Sequence, residues 1–132
     1  MSKGSINIIY ALLKVFTWIF NCGDLPPKQV FIGWGLKIPH AFVGVIITSG
    51  ARIGKNCTLL HNVTLGSIYS NGMYKNKIII GDNVYIGAAS IILGNTHIGD
   101  NCKVGAGTKI IEQIIQENCT VVNDIAYKII GN

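Results

Sequence analysis

At 132 residues the chain suits one domain, long enough to bury a core but too short for two. Apolar residues make up 49% and charged residues 13%, too few charges to clothe a single copy, so an oligomer that hides apolar faces is expected. The formal charge of +5 is scattered over Lys28, Lys37, Arg52, Lys55, Lys75, Lys77, Lys103, Lys109 and Lys128, without a run and without interleaved aromatics. That pattern argues against a nucleic-acid groove; a small anionic ligand fits it better, and a plain solvated surface fits it better still.

In chain order, the first unit is residues 1-22, whose apolar stretch from Ile6 to Phe20 reads as a helix. Such a helix reaches about 22 Å, short of the roughly 30 Å of bilayer hydrocarbon, and Asn7 and Lys14 interrupt it. No small-residue cleavage site follows it. The helix is therefore expected to pack on the body or on a neighbouring chain, with residues 6-20 leaning on a membrane surface as the alternative. A cytoplasmic location is the corresponding expectation. Cys22, Cys57, Cys102 and Cys119 lack the close pairs of a zinc site.

Residues 23-132 form the second unit. Reading every sixth residue gives Ile47, Ile53, Leu59 and Leu65, then after a gap Ile80, Ile86, Ile92, Ile98, Val104 and Ile110. Glycine follows the aliphatic at 54, 66, 81, 87, 99 and 105, and a small residue or valine stands four places after it at 51, 57, 63, 84, 90, 96, 102 and 108. A period of six is neither helical nor a plain two-faced strand. It specifies a short strand and a turn, repeated, with one large and one small side chain inward each time: a parallel β-solenoid. The glycines suit corners that need positive φ, and Cys57 and Cys102 fall on the small inward place, as buried thiols. The gap leaves residues 67-77 as an inserted polar loop, the kind of segment that carries sites on a rigid scaffold. His40 stands in the apolar stretch KIPHAFVGVII, where an imidazole must be hydrogen-bonded, exposed at an edge or chemically active.

These units resemble the hexapeptide repeat of the left-handed parallel β-helix acyltransferases. Within that superfamily the sequence is similar to serine acetyltransferases and the related polysaccharide O-acetyltransferases, through IGWGLKIPH, VTLGS, IGDNVYIGAASIILGN and VGAGTKI. The resemblance implies an all-β, left-handed parallel β-helix with a short N-terminal helix, and a homotrimer. It also implies transfer of acetyl from acetyl-CoA to a hydroxyl, with no metal required. His40 matches the family's catalytic base, and Asp24 is the candidate to orient it, one residue further upstream than the family's aspartate. Gly87, Ala88, Gly105 and Ala106 match the segments along which the cofactor arm lies. Gly66 and Ser67 are candidates for the amide that steadies the oxyanion, and Lys109 and Lys128 for the phosphates.

Three departures accompany this match. The loop histidine that meets the serine carboxylate is absent, with Lys77 nearest its place. The long N-terminal helical domain is replaced by about 22 residues, and Ile125 stands where the tail usually has proline. The first two departures favour a sugar or surface-polysaccharide precursor as acceptor over L-serine, and the third bears on the contacts of Lys128. A catalytically inactive assembly module is the reading from another class. A zinc hydrolase is the remaining one, and it would need His40, His61 and His97 to converge. His61, near the loop in sequence, is the second choice of base.

Overall fold

The computed structural model describes residues 3–20 and 27–123, and within the helix the side chains of residues 7–16. Asp24, Lys128 and Cys22 lie outside the described residues. After the helix Lys3–Phe20, short strands wind through three parallel sheets, the faces of a triangular, left-handed prism. The first face holds Phe31–Ile32, Arg52–Ile53, Ile79–Ile80, His97–Ile98 and Ile114–Ile115. The second holds Thr58–Leu59, Tyr85–Ile86, Lys103–Val104 and Thr120–Val121, with Lys37 bridged to Thr58 at its start. The third holds Ile46–Ile47, Thr64–Gly66, Ile91–Leu93 and Lys109–Ile111.

The sixfold spacing accounts for this shape. Every aliphatic of the repeat points inward, none more than 7% exposed, and like stacks on like: Ile53 on Ile80 on Ile98, and Leu65 on Ile92 on Ile110. The small inward residues Ala51, Cys57, Val63, Val84, Ser90, Thr96, Cys102 and Thr108 are at most 1% exposed. Cys57, Cys102 and Cys119 are free thiols, the first two buried. Ser90 Oγ donates to the Gly87 and Gly105 carbonyls at 2.8 and 2.9 Å, so its burial leaves no orphan.

The corner glycines serve a different purpose from the one the sequence suggests. Positive φ falls instead two places after the glycine position, on Asn56, Asn62, Asn83, Asn101 and Asn118, and on Ala89 and Gly107. Asparagine tolerates that region better than most side chains. Gly87 is required by close approach: a Cβ there would lie 2.6 Å from the Ala106 nitrogen in the next coil.

Three irregularities interrupt the period. Thr64 lies 18 positions beyond its partner Ile46, but Ile53 lies 21 beyond Ile32 and Thr58 lies 21 beyond Lys37. Three extra residues therefore sit between Ile38 and Ile46, and they include the neighbours of His40. Ile92 lies 27 beyond Leu65, which is the insertion after Gly66. Ile115 lies only 17 beyond Ile98 and Val121 17 beyond Val104, so a further coil exists that a strict period of six overlooks.

The insertion is a β-hairpin, where the sequence reading expects a loop. Ile68–Ser70 pairs antiparallel with Met73–Lys75 around Asn71 and Gly72, both at positive φ. Asn-Gly is the dipeptide such a turn selects. Lys75 Nζ reaches Glu112 Oε1 at 2.7 Å and ties the hairpin to the body.

The helix does not bury its apolar side on the body. Asn7, Tyr10 and Lys14 form one stripe by their spacing. Lys28 donates to Asn7 Oδ1 and lies 4.9 Å from the centre of the Tyr10 ring. Ile8 and Leu12, on the other side, are each 64% exposed. Among the described residues no helix is long and apolar enough to cross a membrane.

Candidate active site

Register assembles the site. Counting three residues on from each strand start of the second face gives His40 after Lys37, His61 after Thr58, Ala88 after Tyr85 and Ala106 after Lys103. These four residues form one column at the corner between the second and third faces. The backbone confirms the stacking of the upper three: the Ala89 amide donates to the His61 carbonyl at 3.0 Å and the Gly107 amide to the Ala88 carbonyl at 2.8 Å, whereas the matching Asn62 amide donates to Val43, past the insertion, and His40 joins the column through its ring.

The three-residue insertion shapes the bottom of the column. After Ile38 the chain makes successive tight turns, with Ala41 donating to the Ile38 carbonyl, Val43 to His40 and Val45 to Phe42. Ala41 and Phe42 sit at φ of 48° and 60°, in the region that L side chains seldom occupy. Such strain persists only where the surroundings enforce it. Here Phe42 packs against the core and the Asn62 amide donates to the Val43 carbonyl at 2.9 Å. The bulge pushes His40 out into solvent.

The imidazoles of His40 and His61 meet at right angles with ring centroids 4.9 Å apart. That is close to the spacing of neighbouring strands, as expected of side chains one coil apart. Above them Ala88 and Ala106 leave the corner open for an extended ligand, with Gly87 and Gly105 beside them. An exposed imidazole beneath a row of small side chains can take a proton from a hydroxyl held against that corner.

The remaining candidates stand elsewhere. Gly66 and Ser67 lie at the opposite edge of the third face, where the hairpin leaves. Lys77 closes the hairpin, its side chain exposed and its amide donating to Asn95 Oδ1 at 3.2 Å. Lys109 is exposed at the start of the last strand of the third face. His97 projects from the first face, so a single chain does not bring the three histidines together. Among the described residues no cluster of three or more His, Cys, Asp or Glu is arranged for a metal. His61 is not beside the loop, as its sequence position suggests, but at the other end of that face. The register shared by Lys37 and Thr58 would have paired it with His40, had the three-residue insertion not hidden that register.

The profile of the family described as bacterial transferase hexapeptide (six repeats) matches residues 77–112. Residues 77–112 thus carry the hexapeptide repeat of that family. It is similar to the serine acetyltransferase of Mycobacterium tuberculosis, 37% identical over 101 residues, covering 75% of this chain and 42% of that protein. Serine acetyltransferase of Buchnera aphidicola from Acyrthosiphon pisum is 37% identical over 91 residues, 69% of this chain and 32% of that one. Among solved structures, Neisseria gonorrhoeae serine acetyltransferase in complex with serine superposes with a TM-score of 0.74 at 33% identity, covering 95% of this chain and 49% of that one. Brucella abortus serine acetyltransferase in complex with coenzyme A gives 0.76 at 29% identity, over 95% and 48%. This hexapeptide-repeat chain thus spans about a third to a half of these relatives.

Proposed function

We propose that this hexapeptide-repeat chain is an acetyl-CoA-dependent O-acetyltransferase with L-serine as acceptor. The observation that carries the reading is the corner column: an exposed His40 held on a strained bulge at its foot, with His61 next and Ala88 and Ala106 above. The likeness to serine acetyltransferases solved with serine and with coenzyme A moves the acceptor from the sugar expected from the sequence to serine.

In this reading the acceptor oxygen attacks the thioester carbonyl carbon as His40 takes the hydroxyl proton. The C–S bond then breaks, and the imidazolium returns the proton to the departing thiolate. Asp24 orients the imidazole and favours its protonated form. The cofactor arm runs past Gly87, Ala88, Gly105 and Ala106, with Lys109 and Lys128 at its phosphates. Gly66 or Ser67 supplies the oxyanion amide, and Lys77 attracts the acceptor carboxylate. Gly66, Ser67 and Lys77 lie at a different corner from His40, which suits a homotrimer whose site is completed by a neighbouring chain. We also propose that the helix rests on an anionic lipid surface, because its apolar side faces away from the body and residues 1–23 contain lysines but no acid.

The test is thiol release from acetyl-CoA, with L-serine beside a panel of sugars. Serine-dependent release is expected, and His40→Ala should lower kcat by about 100-fold or more. Release with sugars alone would restore the sugar acceptor, which the absent loop histidine favours. Failure of acetyl-CoA to bind would leave the assembly module.

A further inference from the structure

The second imidazole of the column has no task in the reaction above. His61 stands on the rung above His40 and meets its ring edge to face at 4.9 Å. Its own ring is half-buried, and Nδ1 is buried with no hydrogen-bond partner among the described residues. The His61 carbonyl accepts from the Ala89 amide, which fixes the backbone beneath the ring.

His40, by contrast, is exposed and follows a turn, and among the described residues its side chain has one ring or hydrogen-bonding neighbour, His61. An exposed imidazole with two free torsions explores many orientations, and a base must hold one of them when the hydroxyl arrives. We propose that His61 is a positioning residue, a rigid wall against which the imidazole of His40 is held in its working orientation. The inference rests on the reading of His40 as the base. It adds to the role read for Asp24 a ring contact within the same chain that holds the plane of the imidazole, so another planar ring of similar size should serve.

The test compares His61→Ala, His61→Phe and His40→Ala with the unmodified chain in the thiol-release assay. His61→Ala is expected to lower kcat by about 10- to 100-fold, with KM for acetyl-CoA within about twofold of the unmodified value. His61→Phe should retain most of the rate. Proton NMR of the histidine rings reads the contact without turnover. Resonances of His40, assigned by their loss in His40→Ala, should show a ring-current displacement in the unmodified chain and in His61→Phe, and none in His61→Ala. Full activity in His61→Ala, a change confined to KM, or a Phe variant as slow as the Ala variant overturns the positioning role. So does an absent displacement in the unmodified chain. If His40→Ala is fully active, the base reading falls and the positioning role with it. If His40→Ala is dead while His61→Ala is fully active, the positioning role falls alone.

Discussion

Cys57 shows how a repeat position sets the chemistry of one side chain. It occupies the small inward place, with Sγ donating to the Gly81 carbonyl at 3.1 Å. Burial pushes its thiol above the ordinary value of 9.0, and the carboxylates of Asp82 and Asp100 push the same way. The unfolded thiol therefore ionises first as pH climbs. The contribution to stability is complete below 9.0 and is lost as pH rises through the folded value. Urea midpoints should fall above pH 9.0 in the unmodified chain, and Cys57→Ala should start lower but fall less steeply. His40 was legible from its motif because the glycine-containing stretch around it is local. The partnership with His61 was not, because it depends on two coils being in register.

At the scale of the element, the ladders carry the fold and the irregularities carry the site. Ile92 is fully buried between Leu65 and Ile110. Ile92→Ala should cost about 2–5 kcal/mol, read from denaturant unfolding, because neighbouring rungs held by backbone pairing cannot collapse into the gap. The ten aliphatics were found by counting, since each rung demands one large inward residue. The coils at the two ends escaped the count for a simple reason. Three residues inserted beside His40 and one removed before Ile115 break the phase, and pairing rather than spacing then defines the register. Asn71-Gly72 is a local hairpin signal that the reading of residues 67-77 as a loop passed over, whereas the tie from Lys75 to Glu112 is a contact between coils that no local pattern encodes.

For the whole molecule the energetic demand is the covering of apolar surface. Ile8 and Leu12 on the helix are 64% exposed, as is Tyr69 on the hairpin, and Ile114 on the first face is 70% exposed. The helix turns its polar stripe to Lys28, and the proposed lipid contact of its apolar side would leave the prism on the water side. The full chain should float with vesicles of equal parts phosphatidylcholine and phosphatidylglycerol, less at high salt, and Leu12→Glu should abolish flotation. Protein that stays in the soluble fraction, with self-association sensitive to the same substitution, would instead make the helix a contact between copies.

The sequence by itself determined a parallel solenoid, because a sixfold alternation of large and small inward residues makes each rung specify a short strand and a turn locally; its triangular, left-handed form was implied by the family resemblance. It also placed an imidazole before the regular ladder and an extruded segment after Gly66. Only the tertiary structure decided which residues share a corner. It stacked His40, His61, Ala88 and Ala106 in one column and moved Gly66, Ser67 and Lys77 to another. The physical reason is that a parallel coil pairs residues about 18 positions apart, and each insertion shifts that register. Nearness in the chain, as between His61 and the hairpin, then says little about nearness in space.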